Sequence, residues 1–182
     1  MSWQDFVDQQ LVVDNQCYEA CILSKLNGVP WANSPGVQAA RLGAAGLPLA
    51  RSLTLSIPCP LPRSRLPSSG FIPRCYEAQV TQDDGSEATV TINEAANFAA
   101  WVETGQAPSQ GLRINEVKFM MVKASTDGEF VVYGRKGSIG LAIAASGSAL
   151  VIGSYDTSSG QDAASCYGAV EKLAEYLRSE GK

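Results

Sequence analysis

Histidine is missing from all 182 residues. Its absence removes Ser-His-Asp and Cys-His nucleophilic catalysis, imidazole-based zinc or iron ligation, and the commonest general base near neutral pH. No P-loop, G-x-G-x-x-G or H-E-x-x-H pattern occurs, and the acidic residues are scattered without catalytic spacing. Five cysteines (Cys17, Cys21, Cys59, Cys75, Cys166) make an odd number with no C-x-x-C pair, which reads as reduced thiols, some buried as small hydrophobes. Long apolar runs are lacking too. The most apolar late stretch, 140–153, is interrupted by Ser146-Gly147-Ser148 and falls short of the ~20 residues of a spanning helix. The opening Met1-Ser2-Trp3-Gln4-Asp5 is polar and acidic, unlike a secretory leader. The expectation is a soluble cytoplasmic chain that is not an enzyme and needs neither cofactor nor metal.

Charge is sparse and unevenly placed. Only 18% of residues are charged, with a formal net charge of −4. Residues 35–74 hold five arginines (Arg41, Arg51, Arg63, Arg65, Arg74) and no acidic residue, leaving nine basic against eighteen acidic residues, a net −9, in the remainder. A body this acidic lacks the positive field that phosphate contacts require, so nucleic acid is not an expected partner. The same segment carries six of the nine prolines between 48 and 73 without lasting periodicity. It reads as an insertion at about 35–75 in a single domain, with polyproline II character around Pro58-Cys59-Pro60-Leu61-Pro62.

Outside that segment the patterning is regular. Ser2-x-x-Asp5 resembles a capping box, and Trp3, Phe6, Val7 and Leu11 follow at helical spacing. Asn27-Gly28 between two apolar runs predicts a tight hairpin turn. The runs 76–80 and 88–92 flank Gln82-Asp83-Asp84-Gly85 and predict a hairpin extension at about 76–92. Thr91-x-x-Glu94 is the expected cap of a helix with Ala95, Phe98, Ala99 and Val102 on its buried face and Gly105 at its end. Four strand-like runs follow at 117–123, 129–133, 140–144 and 149–155, joined by glycine-containing turns, an antiparallel meander. A helix over 162–178 closes the chain, with Ala169, Val170, Leu173, Ala174 and Leu177 as its buried stripe. The fold class is α+β: a central antiparallel sheet with N- and C-terminal helices packed on one face.

Several segments, in this order, resemble the profilin family: Ser2-Trp3-Gln4-Asp5-Phe6-Val7-Asp8, Asn27-Gly28-Val29-Pro30-Trp31-Ala32, Gly111-Leu112-Arg113-Ile114, Lys118-Phe119-Met120-Met121-Val122, Gly134-Arg135-Lys136-Gly137-Ser138, Ala149-Leu150-Val151-Ile152 and Leu173-Ala174-Glu175-Tyr176-Leu177. The resemblance covers 1–33 and 76–182. The hairpin, Thr91-Ile92-Asn93-Glu94-Ala95 and Gly105-Gln106-Ala107-Pro108 are similar to the hairpin-bearing profilins of apicomplexan parasites and their relatives. The resemblance implies two binding faces. Trp3, Phe6, Trp31, Tyr176 and Leu177 would form a groove for proline-rich partners such as formin-type assembly factors. Lys118, Met120, Met121, Lys123, Glu129, Arg135, Lys136, Tyr167 and Lys172 would face monomeric actin. Arg135, Lys136 and Lys123 would attract phosphoinositide head groups. The implied function is regulation of actin filament assembly. The alternative is a profilin-like or longin-like adaptor module that does not bind actin.

Overall fold

The protein is described by a computed structural model over residues 2–34, 73–81, 85–126 and 128–182. The insertion read at 35–75, apart from its last residues, and the hairpin turn at 82–84 lie outside the described residues.

The capping box is present. The Ser2 hydroxyl accepts from the Asp5 N–H at 3.2 Å, and the Asp5 carboxylate accepts from the Ser2 N–H at 2.6 Å. Hydrogen bonding by Ser2, first of all from its backbone N–H, holds the Asp5 carboxyl below its ordinary range. Helix α1 (Trp3–Phe6) runs on into a π-helical turn at Val7–Leu11 and a 3₁₀ turn at Val13–Asn15, which together bury Phe6, Val7 and Leu11. Strand β1 (Glu19–Ser24) then pairs with β2 (Pro30–Asn33) across the Asn27-Gly28 turn. Gly28 has φ +67, and a Cβ there would come within 2.8 Å of the backbone of Ala95, so this turn needs glycine twice over.

Strands β3 (Cys75–Thr81) and β4 (Glu87–Asn93) pair antiparallel as a separate two-stranded arm, with Tyr76 opposite Ile92. Helix α2 (Glu94–Thr104) follows, then β5 (Leu112–Ile114), β6 (Val117–Ser125), β7 (Val131–Lys136), β8 (Ile139–Ala145) and β9 (Ala149–Asp156), and finally α3 (Ala163–Ser179). The main sheet is wholly antiparallel in the order β2-β1-β9-β8-β7-β6-β5. Strands β6 to β9 are the expected meander. The α+β class and the packing of the N- and C-terminal helices on one face of the sheet both hold.

Side-chain alternation along each strand feeds two cores. On one face Phe6, Leu11, Val151, Val170, Leu173 and Leu177 pack beneath α1 and α3. On the other, Phe98 and Trp101 of α2 pack on Phe119, Leu141, Ile143 and Ile152. Cys17 and Cys166 meet in the first core with sulfurs 3.2 Å apart, and the hydrogen bond shared with Cys17, followed by burial, pushes the Cys166 thiol pKa up.

Three local readings need correction. Helix α2 is capped by Asn93, whose side chain accepts from the Ala96 N–H at 3.1 Å, and not by Thr91. Its fully buried residues are Glu94, Phe98 and Trp101, the last meeting Phe130 edge-on at 5.4 Å, while Ala95, Ala99 and Val102 of the expected face are half-buried and Val102 packs against the same core. In α3, Cys166 joins the buried stripe above Gly153 of β9, and Ala169 packs against the same core only half-buried.

Glu94 anchors the junction of arm and body. Its carboxylate, 1% exposed, accepts from the backbone N–H groups of Arg74 (2.8 Å), Asn115 (2.7 Å) and Glu116 (2.8 Å). Asn115 and Glu116 form the β5–β6 turn with φ +54 and +68, a left-handed geometry unusual for residues with side chains. Burial pushes the Glu94 pKa up, while the three N–H donors oppose it.

Gly140 provides the floor for an aromatic ring. A Cβ there would lie 2.0–2.2 Å from the Tyr155 ring atoms. Gly140→Ala is therefore expected to displace Tyr155 and cost about 1–3 kcal/mol, read as a lowered midpoint in urea unfolding.

Candidate functional site

The aromatic residues come together as a continuous row. Trp31 of β2 lies 4.6 Å from Trp3 of α1, Trp3 lies 6.0 Å from Phe6, and Phe6 lies 5.9 Å from Tyr176 of α3. The Gln4 side chain donates to the Asn33 carbonyl at 3.0 Å and ties α1 to β2, which fixes the Trp3–Trp31 pair. Trp31 and Tyr176 stay 37% and 43% exposed, Trp3 is half-buried, and Phe6 forms the floor. Two residues of a polyproline II chain advance about 6 Å, which matches the spacing of the successive rings from Trp3 to Tyr176. Leu177 is wholly buried in the core beneath α3, so it supports the row from below and lines no surface.

Parity along the strands sorts the residues expected on the other face. Val131 belongs to the core under α3, and Tyr133 packs against it, so Arg135, two further along β7, points to the same side. Val132 belongs to the opposite core, and Lys136 shares its direction. On β6, Phe119 packs in that opposite core, which places Lys118 and Met120 on the α3 side and Met121 away from it. A register shift between Met121 and Lys123 then brings Lys123 back to the α3 side, opposite Tyr133. Lys118, Met120, Lys123 and Arg135 thus share one face with Tyr167, while Met121 and Lys136 stand on the other. Only Lys123 and Arg135 of the three basic residues expected to meet a phosphoinositide head group lie together. Met120 is 71% exposed and forms the apolar centre of this patch.

Glu129 precedes β7 and pairs with Arg178 of α3. Lys172 lies one helical turn before Tyr176 and thus on the aromatic-row flank of α3, away from Tyr167. It leaves the basic patch for the other site.

Two tyrosines that sequence reasoning missed support the patch from beneath, Tyr133 half-buried and Tyr155 wholly inside the core. Tyr133 stacks on Tyr167 with ring centroids 4.0 Å apart and planes 8° from parallel. Tyr155 meets Tyr167 edge-on, and their hydroxyls are 3.0 Å apart. Burial, then the Tyr155 hydroxyl, pushes the Tyr167 pKa up, so the phenol stays neutral. The period-2 spacing of Tyr133 before Arg135 was the available signal.

The two faces lie far apart in the sheet: β2 is its first strand and β6 the sixth in spatial order. Among the described residues no group of three or more His, Cys, Asp or Glu could hold a metal ion, and no helix is long and apolar enough to cross a membrane.

Comparisons with known proteins agree with this architecture. The profilin family model matches residues 1–182. Profilin-P of Physarum polycephalum is 26% identical over 181 residues, covering all of this chain and 99% of the relative. Profilin-1 of Dictyostelium discoideum is 25% identical with the same coverage. Among solved structures, Schizosaccharomyces pombe profilin superposes with a TM-score of 0.61 at 16% identity, and Acanthamoeba castellanii profilin II with 0.58 at 22%, each pair covered in full. The chain belongs to the profilin family.

Proposed function

We propose that this profilin binds monomeric actin through the patch formed by Lys118, Met120, Lys123, Arg135 and Tyr167, and proline-rich partners through the row formed by Trp31, Trp3, Phe6 and Tyr176. The observation that carries the reading is the convergence of three basic side chains around an exposed methionine on one side of an otherwise acidic body. Such a patch suits a partner that is acidic overall with an apolar centre, because the charges steer encounter and methionine adapts its shape to the contact. The separation of the two faces lets both partners bind at once, so that actin subunits are handed to a formin-type assembly factor while unassisted nucleation is suppressed. The β3–β4 arm supports the likeness to the hairpin-bearing profilins of apicomplexan parasites, and Lys123 with Arg135 supports weak attraction to phosphoinositide head groups.

Titration of actin monomers tests the reading. The Lys118→Glu, Arg135→Glu double variant is expected to bind about tenfold more weakly, the effect of ~1.4 kcal/mol, with peptide binding unchanged. Unaltered protein that leaves pyrene-actin nucleation uninhibited at every concentration up to saturation would sink the actin reading and leave the adaptor alternative.

A further inference from the structure

The tyrosines around Tyr167 do more than fill space. Four elements meet there. Tyr155 projects from β9 over the gap left by Gly140 and aligns the Tyr167 hydroxyl at 3.0 Å. Tyr167 projects from α3 and stacks flat on Tyr133 of β7. On β6, the Lys123 ammonium stands 5.4 Å from the centre of the Tyr133 ring, within the range of a cation–π contact. Lys123 reaches that position because the register shift after Met121 sets it directly opposite Tyr133. An unsupported lysine on a sheet edge samples many rotamers and loses that entropy on binding. One resting on a ring that is itself stacked on Tyr167, which Tyr155 holds in turn, starts with part of that freedom already gone.

We infer that Tyr133 is a positioning and specificity-determining residue of the basic face, where it holds the Lys123 ammonium in the orientation that meets a carboxylate on the partner. The inference rests on the actin reading for the identity of that partner, but the positioning itself does not. The Tyr133 ring, half-buried opposite Lys123 and two residues before Arg135 on the same face of β7, also supplies a flat apolar surface beside both charges. Its role needs the ring and not the phenol oxygen: the contacts that define it are ring stacking and the ammonium over the ring face.

Two measurements on the full chain test it. In the first, the ε-methylene protons of Lys123 are followed by NMR. An upfield ring-current shift is expected in the unaltered protein and in Tyr133→Phe, and its loss is expected in Tyr133→Leu. No upfield shift in the unaltered protein, or one that survives Tyr133→Leu, overturns the positioning role without reference to any partner. In the second, actin affinity is measured for Tyr133→Leu, Lys123→Met and the double variant. Each single change is expected to weaken binding about fivefold, and Lys123→Met is expected to cost less than twofold in the Tyr133→Leu background, because the lysine has already lost its seat. Tyr133→Phe, which keeps the ring and loses only the phenol oxygen, is expected to bind as the unaltered protein does, and a fivefold loss in it would overturn the assignment of the role to the ring. Losses that simply multiply overturn the inference while leaving the actin reading intact. Unaltered protein that shows the ring-current shift but does not bind actin overturns the actin reading alone.

Discussion

Glu94→Ala is expected to lower the stability of the protein by about 3–4 kcal/mol, the largest loss anticipated for a single substitution outside the apolar core. The carboxylate accepts from three backbone N–H groups drawn from two segments, the chain entering β3 at Arg74 and the β5–β6 turn at Asn115 and Glu116. Removing it strands donors that are partly buried, each costing ~1–3 kcal/mol when water cannot fully replace the lost acceptor. It also releases two left-handed residues, Asn115 and Glu116, from the contacts that hold them there. Urea unfolding of the variant reads the loss as a lower midpoint. Glu94→Gln keeps one acceptor oxygen but turns an N–H₂ toward N–H groups, so an intermediate loss is expected. A loss below ~1 kcal/mol for the alanine variant would show that the arm and the β5–β6 turn are held by other contacts.

The same residue gives a pH signature whose sign follows from its burial. Its folded-state pKa is raised, so ionisation is harder in the folded chain than in the unfolded one, where a glutamate titrates near ~4.3. The contribution is then fully present below the unfolded value and is lost as pH rises through the raised folded value. Stability measured from pH 4 upward is expected to carry this decline in the unaltered protein and to lack it in Glu94→Gln.

How much of this was legible beforehand varies with the kind of signal. The strands of the meander and the Asn27-Gly28 turn follow from local alternation and from the φ > 0 that such a turn demands, and Gly28 does adopt φ +67. Helix rotation was less legible. Hydrophobic spacing in α2 found Phe98 on the buried face but omitted Trp101, whose indole is buried edge-on against Phe130. In the basic patch the bulge after Met121 was the hidden step. A one-residue shift reverses the face of every later side chain, so the side on which Lys123 stands could not be read without the β6–β7 register, whereas alternation alone separates Met120 from Met121. The resemblance implied a place for Leu177 in the groove while helical spacing put it in the buried stripe, and the spacing was right: neighbours on a helix point 100° apart, and Leu177 turns into the core beside an exposed Tyr176. Glu94 was read as half of a capping box; its partners lie 20 to 22 residues away and leave no local trace in the chain.

The aromatic row carries the second large effect. Trp31→Ala is expected to weaken binding of a proline decamer by about 30-fold or more, the loss of one aromatic hot spot of ~2 kcal/mol. Trp31 is the exposed member of the Trp3–Trp31 pair, whose rings are 4.6 Å apart, so its removal takes away both a stacking surface and the wall that holds Trp3 upright. An indole also offers an N–H to the unpaired carbonyls of the peptide, which phenylalanine cannot, so Trp31→Phe is expected to recover only part of the affinity. Tyr176→Ala acts at the other end of the row, next to the buried Phe6, and is expected to cost less because the Phe6 ring beneath it remains. Leu177→Ala provides the contrast. A leucine with no exposed surface should lower stability by ~2–5 kcal/mol through the cavity it leaves, while the protein that remains folded binds the peptide with near-normal affinity. Calorimetric titration of the folded variants separates the two classes. Equal affinity in Trp31→Ala and the unaltered protein would place the proline site elsewhere on the molecule, and a selective loss of binding in Leu177→Ala at full foldedness would return that residue to the surface of the groove.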